Sequence, residues 1–126
     1  MTTTSVISGG DLASNPRASA LEIQDSVCSE QNTLVLRGEL DLSNTVELAA
    51  AVQRLCGDGA KSLLLDLDLA FMDSSGLRLM LAVHGLCQES DCELVIRLSS
   101  PAVRRLFEVA GMLERLPIER PGERSW

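Results

Sequence analysis

The stretch SLLLDLDLAFMDSSGLRLML, residues 62–81, decides how this chain is read. Ser62 to Leu67 is an apolar run bounded by turn residues, the pattern of a strand covered on both faces in a partly parallel sheet, and it is placed at the sheet centre. MDSSG then opens a helix in which Leu77, Met80, Leu81, His84 and Cys87 or Gln88 share one stripe at spacings of three and four. Asp73, Ser74, Ser75 and Gly76 therefore sit between a central strand and a helix, at a strand's carboxyl end, where α/β folds place function.

Working outward, Leu21 to Val27 and Thr33 to Gly38 alternate apolar and polar residues and are expected to be antiparallel neighbours joined by a hairpin. Asn44 with Glu47 three residues later resembles a capping box, and Leu48, Val52 and Leu55 mark the face of the helix it opens, which Gly57 and Gly59 stop. Beyond the central helix, Cys92 to Leu98 reads as a strand. Pro101 then begins a third helix, capped by Ser99 or Ser100, with Val103, Leu106, Phe107 and Ala110 inward and Gly111 at its end. LERLPI is a candidate short edge strand. The alternation of strand and helix from Thr33 onward predicts helices on a mixed, largely parallel sheet of four to five strands. Residues 21–118 form one domain in this reading, with 1–20 as a flexible N-terminal tail, poor in apolar residues, and 119–126 as a C-terminal tail.

The 126 residues are 45% hydrophobic, with two Phe, one Trp and no Tyr, so the core must be aliphatic and stacking platforms for bases are lacking. The net charge is −7, and residues 21–118 hold all of that excess, with 15 acidic against 8 basic residues. Such a surface repels phosphate backbones and anionic headgroups, which argues against nucleic-acid or membrane binding and favours a protein partner with a basic patch. Cys28, Cys56, Cys87 and Cys92 lack C-x-x-C spacing, and His84 is the sole histidine, so neither a metal nor a cofactor is expected and the cysteines read as small apolar residues. With no signal peptide pattern and no apolar run approaching 18 residues, the chain is expected to be cytoplasmic with reduced thiols.

On spacing alone two readings of the 73–76 loop stand level. Asp73 or Ser74 satisfies the free helix amides while Gly76 allows tight packing, or the serines carry chemistry. Asp41 is similarly divided between a solvated cap and a functional contact.

Three motifs together, GELDLSNTVEL (38–48), FMDSSGL (71–77) and SSPAVRRLFEVAGM (99–112), resemble the STAS domain of anti-sigma factor antagonists. The resemblance implies an α/β STAS fold. It also implies a non-enzymatic switch whose unphosphorylated form binds an anti-sigma serine kinase, an ATP-binding protein of histidine-kinase-like fold, and so frees a sigma factor. In that family the first serine after the aspartate is the phosphate acceptor, which matches Ser74, and a serine phosphatase reverses the modification. Asp41, Asp73, Ser74, Ser75 and Gly76 are then the expected partner-binding residues. Members of the family usually continue into a further C-terminal helix, whereas PIERPGERSW carries two prolines and a glycine.

Two other functions compete with this one. A serine hydrolase lacks a G-x-S-x-G elbow, and His84 stands about 15 Å further along the same helix. A STAS scaffold or small-ligand-binding module of a larger signalling complex keeps the fold and is the alternative.

Overall fold

The computed structural model describes residues 3–8, 20–28 and 31–120. Five strands lie in sequence order, β1 (Thr3–Ser8), β2 (Leu21–Cys28), β3 (Gln31–Leu40), β4 (Ser62–Met72) and β5 (Glu93–Arg97). The first three pair antiparallel, whereas β3, β4 and β5 run parallel. Helices α1 (Thr45–Gly57) and α2 (Ser74–Glu89) are the crossovers that parallel pairing requires, and α3 (Pro101–Val109) follows β5. This is the expected mixed α/β sheet.

All three helices contribute to a single core. Leu63, Leu65, Leu67 and Leu69 of β4 and Leu34 and Leu36 of β3 meet Leu48, Val52, Leu77, Met80, Val103 and Phe107. Alternate residues point the other way, as the two-residue period of a strand demands. On that second face Arg37 pairs with Asp68 at 3.4 Å and Ser99 donates to Asp66 at 2.6 Å. The apolar run in β4 was expected to be covered on both faces; helices cover one, and the two aspartates mark the other. Leu64 is nevertheless buried there. β4 is interior, flanked by parallel partners on both sides, next to the middle strand β3.

Four further expectations need correction. Residues 3–8 form an edge strand where a flexible tail was anticipated, because this β-branched stretch can pair along the otherwise open edge of β2, from Thr3 opposite Val27 to Ser8 opposite Glu22. The rest of the predicted tail, 9–19, and the end of the chain, 121–126, lie outside the described residues. In α2 the buried stripe is Gly76, Leu77, Met80, Val83 and Cys87, so Leu81 and His84 are only half-buried and Gln88 is exposed. LERLPI contributes one parallel bridge, Ile96 with Ile118, rather than a strand; Arg97 clamps it through two hydrogen bonds to Glu119, at 2.7 and 3.0 Å. Beyond Val103 and Phe107, the face predicted for α3 thins out, with Leu106 half-buried and Ala110 exposed.

One glycine shapes the region described next. Gly38 has φ +98°, and a Cβ there would lie 1.9 Å from the carbonyl oxygen of Ala20. Only a residue without a side chain lets β3 bulge past the start of β2 at this point, where the pairing with β4 shifts register.

Candidate functional site

The carboxyl ends of β3 and β4 are fastened side by side, since the Asp73 amide donates to the Leu40 carbonyl at 3.3 Å. The 41–44 loop and the first turn of α2 thereby share one edge of the domain.

Within α2's first turn the division of labour is definite. Asp73 is the N-cap, in extended backbone, and its Oδ1 accepts from the amides of Ser75 at 2.8 Å and Gly76 at 3.4 Å. The cap is therefore the aspartate, and Ser74, the first helical residue, is exposed with its hydroxyl left out of the capping. Ser75 is half-buried behind it. Gly76 is buried; a Cβ there would meet Met72 Cγ at 2.7 Å and Leu40 Cδ2 at 3.2 Å. Among the residues anticipated for partner binding, Gly76 therefore sets how closely α2 seats on the sheet instead of offering surface of its own.

Asp41 is half-buried, and its Oδ1 accepts from both the amide and the hydroxyl of Ser43, at 2.9 and 2.5 Å. Its own amide donates to Asn44 Oδ1 at 3.0 Å. Asn44 is 1% exposed and also donates from Nδ2 to the Glu39 carbonyl at 2.9 Å. The expected capping box does not form: Asn44 occupies the N-cap position, but its side chain turns back to stitch the loop, and Glu47 Oε2 is buried without a partner among the described residues. Asparagine can satisfy local backbone in either direction, and here the bulged end of β3 supplies better partners than the helix. Asn44 is thus a site-shaping residue that the sequence signalled only as a cap.

Among the described residues five large apolar side chains are exposed, and four of them lie at this end: Leu42 and Val46 beside the Asp41 loop, Phe71 at the end of β4, and Val109 in a shallow groove with Phe71, Ala102 and Leu106. Leu42 and Val46 are each 75% exposed, a wasteful placement in a monomer unless something covers them. Ser100 caps α3 by accepting from the Val103 amide, which settles the choice between Ser99 and Ser100.

Comparison with known proteins agrees with this geometry. The family model described as Mlab, STAS domain, matches residues 23–117. The chain is 32% identical over 89 residues to a putative anti-sigma factor antagonist, BtrV, of Bordetella bronchiseptica, covering 70% of this chain and 77% of that one. It is 30% identical over 87 residues to the anti-sigma-B factor antagonist of Staphylococcus aureus, covering 68% and 81%. The structure of the anti-sigma factor antagonist SpoIIAA in its unphosphorylated form superposes with a TM-score of 0.61 at 25% identity, over 78% of this chain and 88% of that one. The phosphorylated form of SpoIIAA from Bacillus superposes at 0.56 with 24% identity, over 78% and 91%. A strand order with parallel β3, β4 and β5, an aspartate-capped serine at the head of α2 and these matches lead to one assignment: the chain belongs to the STAS-domain family of anti-sigma factor antagonists.

Proposed function

We propose that the unphosphorylated chain binds an anti-sigma factor that is a serine kinase, releasing a sigma factor, and that phosphorylation of Ser74 ends this binding until a serine phosphatase removes the group. The carrying observation is the exposed Ser74 at the first position of α2, its hydroxyl spared because Asp73 caps the helix. In this role the chain is a binder and kinase substrate, not an enzyme, and it works in the cytoplasm without binding nucleic acid. Among the described residues no helix is long and apolar enough to cross a membrane.

The physics favours an interfacial switch. A phosphoserine adds about −1.5 to −2 charges at pH 7. At a helix N-terminus that charge meets the positive end of the dipole, so the fold tolerates it. A partner seated over Ser74, Ser75 and the Asp41 loop, gripping Leu42, Val46 and Phe71, meets instead a dianion beside two aspartates. Desolvation and repulsion there cost a few kcal/mol, enough for about a hundredfold loss of affinity.

The test is to incubate the purified chain and its Ser74→Ala variant with candidate anti-sigma kinases and ATP and follow intact mass. The expected result is one phosphate on the wild type and none on the variant, with Ser74→Glu binding the kinase about a hundredfold more weakly. A phosphate that persists on Ser74→Ala assigns the acceptor to another residue, Ser75 first. No phosphate with any such kinase overturns the proposal in favour of a scaffold or ligand-binding module.

A further inference from the structure

At the opposite end of the helices from Ser74, three cysteines that are distant in sequence converge. Cys56 is in the last turn of α1, Cys87 is in the last turn of α2, and Cys92 immediately precedes β5. Their three Sγ atoms all lie within 4.8 Å of one another. The convergence is built by the chain: the Cys92 amide donates to the Cys87 carbonyl at 2.8 Å, across a turn in which Asp91 takes φ 56°. Asp91 is the only non-glycine residue with positive φ among the described residues, and aspartate is among the few side chains that tolerate it. Thirteen residues separate Ser74 from Cys87, or about 20 Å along α2 at the helical rise.

We propose that Cys56, Cys87 and Cys92 form a three-sulfur binding site for a thiophilic d10 metal ion of the Zn(II) or Cu(I) kind. Thiolates bind these soft ions preferentially. At a metal–sulfur distance of about 2.3 Å, three sulfurs around one ion stand about 4 Å apart, within the separation that the cluster already has. Cys87 is fully buried and Cys92 5% exposed, while Cys56 is half-buried and offers the way in. The site also lies at the C-terminal ends of α1 and α2, where both helix dipoles favour a cation.

Binding is a proton-for-metal exchange without redox change. Each ligating thiol releases its proton to solvent and forms one sulfur–metal bond. Three thiolates leave one net negative charge around Zn(II) and two around Cu(I).

The experiment uses the fully reduced, full-length chain, mixed anaerobically with one equivalent of Zn(II) in one arm and of Cu(I) in the other, and read by native mass spectrometry and thermal melting. The expected result is one ion per chain in at least one arm, with a raised melting temperature. Cys28→Ser should match the wild type, and Cys56→Ser should lose at least a hundredfold in affinity. Cys56 is only half-buried, so that variant should fold; should circular dichroism show otherwise, Cys56→Ala removes the same ligand without adding a hydroxyl. No uptake in either arm overturns the proposal. So does uptake that survives Cys56→Ser or is abolished by Cys28→Ser, and so does a chain that binds no metal but loses two protons on peroxide treatment, which marks a disulfide pair.

Discussion

The amide of Asp73 and the carbonyl of Leu40 are 3.3 Å apart, and this one hydrogen bond ties the loop after β3 to the head of α2. Through it the stitching of Asp41 by Asn44 and the capping by Asp73 become parts of one surface. Ser74 stands on that surface with its hydroxyl exposed, held by neighbours that do not use it.

The division between cap and acceptor predicts unequal stability effects. Asp73→Ala removes the acceptor for two helix amides and should lower unfolding free energy by about 1 kcal/mol, with Asp73→Ser restoring most of it. Ser74→Ala should change stability by less than about 0.5 kcal/mol. Urea denaturation of the three variants checks the order; a Ser74→Ala loss as large as that of Asp73→Ala would contradict the assignment of the cap.

Asn44→Ala strands the Asp41 amide and the Glu39 carbonyl in a part-buried setting, so it should cost about 1 kcal/mol. Asn44→Asp keeps the acceptor for the Asp41 amide but not the donor to Glu39, and should fall between. Because Asn44 touches no exposed surface, a fall in partner affinity with Asn44→Ala, measured where the variant remains folded, reports the loop's shape.

Gly38→Ala and Gly76→Ala should both destabilise, for different reasons. At Gly38 the new Cβ meets backbone at 1.9 Å in a left-handed conformation, and the loss should be on the order of 3 kcal/mol or more. At Gly76 the obstacle is mainly the Met72 side chain, and about 1–2 kcal/mol is expected. Met72→Ala should partly rescue Gly76→Ala, and no second substitution of a side chain should rescue Gly38→Ala, as thermal melts of the double variants will reveal.

Asp25 provides the pH dependence. It stands opposite Leu34 on β3, its Oδ1 is buried without a partner among the described residues, and burial raises its carboxyl above the ordinary value of 3.8, with Arg54 pulling back less strongly. The folded state then holds the proton more tightly than the unfolded state, so stability falls as pH rises through this range. Asp25→Asn should be more stable than wild type at pH 7, and the advantage should shrink as pH falls and vanish below 3.8. Paired urea titrations at several pH values measure it; an advantage that persists at pH 3 would show that ionisation is not the cause.

Much of this could be read along the chain. The alternations in β2 and β3, the run at 62–67, the proline at the head of α3 and the left-handed glycines at Gly59 and Gly111 act through near neighbours, and the elements form where those signals stand. The loop bearing Asp73 and Ser74 was legible for the same reason: a capping residue before a helix is a local event.

What the amino-acid sequence determined by itself is therefore the run of elements from β2 to α3, the main part of the apolar faces of α1, α2 and α3, and the position of Ser74 at a helix start. Only the tertiary structure decided which partners distant groups would find. It gave Asn44 to the bulged end of β3 rather than to its own helix, set Gly38 against the Ala20 carbonyl, paired residues 3–8 with the edge of β2, and gathered Cys56, Cys87 and Cys92 into one cluster. The physical reason is common to all four: a hydrogen-bonding group, a close approach or a thiol carries no mark of its partner when that partner is fixed by packing across the sheet and not by its place in the chain.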